Sequence, residues 1–452
     1  MKRLCLACLL ALGASMPVHA EEQIITGDEG GPAQATPEGG SPSVADSLPA
    51  LATFAQVKKN LADKGVTLQI NYIGEVLGNV SGGLQRGAVY DGRVETVVEA
   101  DLGKVVGWQG ATFHFNGYWI TGKGLTAAYV GALSPVSYIE ALSTVRLYEL
   151  YIDQALFDGA LSIRAGQLAA DSEFVLAKYA QLFVNGATGW PMLLAQDLPS
   201  GGPAYPFATP GVRVKWNVNK NLTLLTAIFD GNPAGPGPGD PQHLDPYGVN
   251  FRVVDRPLVM AEAQYSYNGE KDAQGLPGTL KVGAWRHFGA FPDQYYGADA
   301  TIPASEVPQH NGNYGAYAMI DQQVYKKGDS SNAGVGIFVR GFAAPSNVNP
   351  ISLYFDGGFN ATGLIASRPN DTFGVSAYWG QASTAVVNAT VFNEPDVRPT
   401  FESGLEATYQ AQLVPGWTLQ PTVQYVMHPG AGLTGENIPN ALVVGLRTTI
   451  NY

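Results

Sequence analysis

The sequence predicts an all-β fold, a transmembrane antiparallel β-barrel of about sixteen strands preceded by a short N-terminal helix. Three observations carry this expectation. Charge is scarce: 14% of the 452 residues are charged, against 55 Gly and 22 Tyr, where a soluble domain averages about 25% charged residues. Strand-like segments of roughly ten residues, the length a tilted strand needs to cross a bilayer, repeat to the last residue. Long and short connections alternate between them, as loops on one rim of a barrel and tight turns on the other.

The first element is a leader. MKRLCLACLLALGASMPVHA (1–20) has a basic start at Lys2 and Arg3, an apolar run from Leu4 to Leu12 and the cleavage pattern Val18-His19-Ala20. It reads as a secretory signal peptide, its apolar run too short to span a membrane. Both cysteines, Cys5 and Cys8, lie inside it, so the exported chain has no disulfide, thiolate metal site or thiol nucleophile. Without Lys2 and Arg3 the 26 basic residues become 24, against 38 acidic ones, and the net charge moves from −12 to −14. That balance argues against nucleic acid as a partner.

Residues 21–46 are rich in Gly, Pro, Glu and Ser with almost nothing apolar, and read as a disordered linker. Residues 47–65 carry Leu48, Leu51, Phe54, Val57 and Leu61 at helical spacing before Gly65. This is a short amphipathic helix that caps one end of the strand region. Residues 66–452 are the barrel. Its expected strands are 67–79, 91–102, 110–120, 145–156, 160–168, 210–217, 221–230 and 257–267 in the first half. The second half gives 278–288, 314–325, 332–342, 350–360, 371–381, 401–411, 417–427 and 441–452. Connections such as 121–144, 169–209 and 231–256 contrast with 157–159, 218–220 and 412–416, although 343–349 and 361–370 narrow the difference.

Parity within the strands decides which face is wet. In GRVETVVEADL (92–102), Arg93, Glu95, Glu99 and Asp101 share one face, while Val94, Thr96, Val98, Ala100 and Leu102 share the other. Elsewhere one parity is apolar, as in Val212, Val214 and Trp216, in Leu280 and Val282, and in Ile351, Leu353 and Phe355. The opposite parity carries Arg213, Lys215, Glu262, Lys281, Asp321, Arg340, Asp356, Glu402, Glu406 and Arg447. Lipid requires the apolar face outward, so the charges line a water-filled lumen. A soluble secreted all-β binding protein stays open as the alternative from a different class.

Two longer stretches resemble a known family. LADKGVTLQINYIGEVLGNVSGGLQRGAVYDGRVETVVEADLGKVVGWQGATFHFNGYWITGKG (61–124) and RLYELYIDQALFDGALSIRAGQLAADSEF (146–174), with GVRVKW (211–216), are similar to the carbohydrate-selective porins, the OprB-like family of Gram-negative outer membranes. The resemblance implies a monomeric barrel of sixteen strands in the outer membrane, amid its lipid and lipopolysaccharide. It implies a lumen narrowed by inward-folded loops, with arginines facing acidic residues at a constriction that passively admits glucose and related mono- or oligosaccharides. Members usually end in Phe at the position read by the barrel assembly machinery; this chain ends in Tyr452. A general or organic-anion porin shares the same barrel and is the nearest alternative.

A sugar offers hydroxyls that give and accept hydrogen bonds, and C–H faces that lie on aromatic rings. A selective pore must replace part of its hydration while holding it weakly enough to release it. The expected contacts are Arg93 with Glu95 and Glu99, Glu149 with Asp153, Arg164, and Arg213 with Lys215, all of inward parity. Bracing of the wall by ion pairs competes with sugar contact at each of them. Loop 169–209 holds six aromatic residues, most of which should bury themselves to hold the loop; Tyr179 and Trp190 are the ones expected to face sugar.

No enzyme reading competes. Residues four apart on a strand, such as Glu402 and Glu406, stand about 13 Å apart, beyond either glycosidase geometry; a pair across two strands stays open on this ground. The five histidines after the leader belong to no HExxH or GxSxG arrangement, and no metal or cofactor pattern appears.

Overall fold

A computed structural model describes residues 42–452 apart from 271–272, 298–301, 304, 329–332, 394–398, 434 and 436. The expected leader and the linker as far as residue 41 lie outside the described residues. The chain enters through a helical turn, α1 (Val44–Ser47), which starts within the last residues of the expected linker because the Ser43 hydroxyl caps the amide of Ala45. A single 3-10 turn at Pro49–Leu51 leads into α2 (Ala52–Ala62). Ser47 donates to the carbonyl of Pro415 and Lys58 to that of Tyr452. The helix is thereby tied to the rim that carries the short turns.

Sixteen antiparallel strands come next and close on themselves, each pairing with its sequence neighbours and the first with the last. They are β1 (Val66–Ser81), β2 (Gly87–Asp101), β3 (Ala111–Thr121), β4 (Thr144–Leu156), β5 (Leu161–Leu168) and β6 (Thr209–Asn217). Next are β7 (Leu222–Phe229), β8 (Leu258–Tyr267), β9 (Gly278–Pro292), β10 (Gln309–Lys326) and β11 (Gly334–Ala343). The last five are β12 (Ile351–Thr362), β13 (Thr372–Ala382), β14 (Phe401–Val414), β15 (Trp417–Met427) and β16 (Ala441–Asn451). Every expected strand is present. The largest difference is at β9 and β10, whose hairpin rises several residues higher toward the long-loop rim than the sequence suggests.

The wall is built as parity requires. Val212, Trp216, Leu280, Val282, Phe355 and Leu446 are exposed on the outer face, while Arg213, Glu262, Lys281, Asp321, Arg340, Asp356, Glu402, Glu406 and Arg447 are buried inside. Outward aromatic residues gather at both rims. Trp216, Tyr265 and Tyr325 lie toward the short turns, and Tyr90, Trp119, Phe288 and Tyr314 toward the long loops, as two interfacial belts demand. The closing seam carries its own pair: Glu75 on β1 stands opposite Arg447 on β16, which donates to it at 2.8 Å.

Alternation fails at bulges. Ile351, expected outward, is fully buried because the register slips between Ile351 and Leu353. On β4, Glu149 faces Asn116 while Leu147 faces Gly117, leaving Tyr148 as an extra residue. A bulge of this kind turns both of its residues to one side and reverses the parity beyond it. Arg146, which simple alternation assigns to lipid, is thereby turned inward and is 2% exposed.

Candidate functional site

The lumen is narrowed by two of the long loops, residues 122–143 and 169–208. A chain segment that leaves a sheet and enters a closed tube must find partners for its own peptide groups. Here the charged wall supplies them. Glu402 accepts the amides of Leu133, Ser134 and Gly430, and Glu406 those of Val184 and Asn185 at 2.9 Å each. Glu262 takes the amide of Val175, and Asp321 that of Tyr179. Arg340, paired with Asp356, donates to the carbonyls of Val175, Ala187 and Gly189, and Lys281 to that of Leu176. Most inward charges on β8 to β14 are thus anchors of the loops.

The apolar side of loop 169–208 needs room against the wall, and glycine provides it. A side chain on Gly336 would collide with the Tyr179 ring, one on Gly374 with Leu182 and Phe183, and one on Gly380 with Met192. Phe174, Phe183 and Phe207 are buried, as expected for rings that hold the loop. Tyr179 and Trp190 are half-buried and pack against the core that joins the loop to the wall. The Trp190 indole donates to the carbonyl of Gly201 within the loop.

The remaining predicted residues divide into two groups. Arg93 and Glu95 pair at 3.3 Å, and Glu95 also receives Asn116 at 2.8 Å and the hydroxyl of Tyr118. The Arg93 guanidinium lies 4.7 Å from the ring of Tyr118, 5.7 Å from Tyr138 and 5.3 Å from Tyr205. Tyr118 belongs to the wall; the other two belong one to each inward loop. Arg93 is 2% exposed, so wall and loops close around it. Glu99 does not join this group. Six residues further along β2, ~20 Å, it pairs with His114 at 3.1 Å.

Asp153, Arg164 and Arg213 do come together, on one row across β4, β5 and β6. Asp153 lies 3.0 Å from Arg164 and 2.7 Å from Arg213. The fourth member is Glu173, on the inward loop, 3.4 Å from Arg164 and 2.6 Å from Arg213. The Arg164 guanidinium rests 4.0 Å above the Tyr151 ring, which stacks in turn on His114. Asp153, Arg164 and Glu173 keep 13–18% of their side chains open. Burial raises the Glu173 carboxyl, but Arg164 and Arg213 outweigh it and hold it below the ordinary range. Lys215 is half-buried and its charge also reaches Glu173. Glu149 is not among the ion pairs of this cluster, although its charge reaches Arg164; it accepts the amide of Ala169 and the hydroxyl of Ser172 where the loop leaves β5.

Sequence reasoning missed Arg146, Glu173 and the tyrosines around Arg93. Nothing in the local pattern marks a bulge at Tyr148. Glu173 lies in a loop, where parity has no meaning, although it stands within the RAGQLAADSEF stretch. Two further loop carboxyls are raised by burial to about 7. Glu140 accepts the amides of Leu125 and Thr126, and Asp171 takes the Tyr148 hydroxyl and the amide of Tyr205. Among the described residues no group of three or more His, Asp or Glu is placed to hold a metal ion.

Comparison with known proteins adds family evidence to this geometry. A family model described as carbohydrate-selective porin, OprB family, matches residues 85–452. The chain is similar to Porin B of Pseudomonas aeruginosa, 22% identical over 470 residues that cover 98% of this chain and 96% of that one. Among solved structures it is similar to the high-pH structure of Pseudomonas putida OprB, with a TM-score of 0.78 and 22% identity over 88% of this chain and 97% of that one. The low-pH structure of the same protein gives a TM-score of 0.55 and 18% identity over 88% and 96%.

Proposed function

The chain belongs to the carbohydrate-selective porins of the OprB family, and we propose that glucose and related sugars cross it passively by way of the Asp153–Arg164–Arg213–Glu173 cluster. The protein is an outer-membrane sugar porin; the residues that sugar meets are the proposal. One observation carries it: the three partly open members of this cluster alternate in charge and are fixed in place before any sugar arrives. Arg164 is clamped between two carboxylates and supported from below by Tyr151. Its free N–H groups can replace water on a sugar hydroxyl without first losing rotamer freedom. The carboxylates accept from neighbouring hydroxyls, and the exchange stays weak enough to allow release.

Arg93 has a different proposed role. Enclosed by Tyr118, Tyr138 and Tyr205, it sets the distance at which both inward loops stand from the wall. Tyr179 and Trp190, packed on the far side of the loop, help fix its shape. We also propose that residues 1–20 export the chain. The barrel works as a monomer. Substitution of Arg164 by Gln tests the sugar path: block of the channel by glucose should weaken while the barrel still assembles. Unchanged block would remove the cluster from the pathway.

A further inference from the structure

On the outer wall β5, β6, β7 and β8 are short, and beyond their upper ends the wall is completed by a loop. Residues 247–248 bond alongside β4, where Leu147 donates to the carbonyl of Tyr247 at 2.9 Å. The Gln167 side chain, on the outward parity of β5, is covered by this segment and donates to Gly248 at 2.7 Å. The chain then runs across the strand tops to β8. Val249, Phe251, Val253 and Val254 stay 49–75% exposed along it. Between this strip and the wall lies a groove of about 770 Å³, lined by Leu150, Val212, Ile228, Phe251, Val253 and Pro257 and floored by Gly166 and Gly211; Asp230 and Asp255 also reach it, Asp255 paired with Arg252 and Asp230 accepting the Asp255 amide.

We propose that this groove holds an acyl chain of an outer-leaflet lipid whose phosphate is met by Arg286. Three features select that occupant. The groove opens on Val212 and Ile228, which belong to the lipid-facing belt, so it continues an apolar surface that lipid already covers. The strip above it exposes Val249, Phe251, Val253 and Val254, with Asn250 and Arg252 between them, four large apolar side chains that a water-facing loop has no reason to present together. Arg286 points outward on β9, beside Val259 and two residues along β8 from Pro257, between the exposed rings of Phe288 and Tyr314. There it stands at headgroup height in the upper aromatic belt. Among the described residues its one hydrogen bond is to the carbonyl of Asn311, and no carboxylate pairs with it. A guanidinium so placed suits a phosphate, which it can grip with two parallel N–H groups.

Native mass spectrometry of the purified barrel tests this, with bisphosphorylated lipid A, its dephosphorylated form and phosphatidylcholine as probes. The intact protein should retain one lipid A per barrel and prefer it to the dephosphorylated form by about fivefold or more. Val212→Trp, which fills the groove, should lose retention of lipid A and of its dephosphorylated form alike. Arg286→Gln should bind the two equally, and both variants should conduct sugar as the parent does. Phe251→Ser, in a segment outside the strands, gives the same reading should Val212→Trp fail to insert. Retention of lipid A by the filled groove, or no preference for the phosphorylated form, overturns the proposal. So does efficient cross-linking of two copies through Val253→Cys in the membrane, which would make a second copy the occupant.

Discussion

Glu173 on the inward loop and Arg213 on β6 meet at 2.6 Å, so that wall and loop are joined by a charge-assisted hydrogen bond inside the lumen. The same carboxylate reaches Arg164. Glu173→Gln keeps the shape of the side chain and removes its charge. Block by glucose should weaken by roughly 1.5–3 kcal/mol, the range for a hydrogen bond to a charged group. The barrel should remain heat-modifiable on SDS gels. Single-channel block by graded glucose measures the effect, and an unchanged blocking constant would assign the cluster to bracing alone.

Arg340 anchors the loop from the opposite side, with Asp356 beside it and both side chains fully buried. Arg340→Met strips three loop carbonyls of their donor and leaves the Asp356 carboxylate without its cation. Breaking a buried pair in this way costs about 3–5 kcal/mol. Loop 169–208 should therefore detach while the strands, whose pairing is untouched, still close. Larger and noisier conductance in an intact barrel is the expected outcome.

The strand map is legible in the sequence because lipid outside and water inside impose strict alternation, and all sixteen strands occur where that alternation runs. The lumen charges are legible for the same reason. Their partners are not. Glu406 meets the amides of Val184 and Asn185 more than 200 positions away in the chain, and no periodicity records a contact between a wall and a loop. Arg146 is hidden by one bulged residue, and the direction of Ile351 is reversed by another. Glu99 resembles a partner of Arg93 because it shares its face; the Arg93 side chain instead lies among the tyrosines toward the long loops, away from Glu99.

Arg93→Ala should act on the loops more than on sugar directly. With the guanidinium gone, Tyr138 and Tyr205 lose the charge that holds both loops beside Tyr118. Faster hydrogen exchange in residues 122–143 and 169–208, at preserved insertion, is expected. Sugar block that falls while exchange in both loops stays unchanged would restore Arg93 as a direct contact.

Asp171 sets a pH dependence. Its carboxyl is raised by burial to about 7, against an unfolded value of about 3.9. The folded state therefore holds a proton that the unfolded state releases, and the stabilisation present at low pH is lost as pH rises through about 7. Thermal unfolding of the barrel should show stability declining across this window, and Asp171→Asn should make the decline shallower, the remainder coming from Glu140, which is raised to about 7 as well. A parent profile that rises over the same range would contradict the assignment.

A charged lumen, narrowed by loops pinned to its wall, recognises sugar in passing. Single-channel current through the reconstituted barrel, recorded while glucose is raised stepwise, tests it most directly. The current should fall and saturate, and the fall should be shallower in Arg164→Gln. Channels that conduct ions freely with no reduction by glucose or any related sugar would contradict it and leave a general porin.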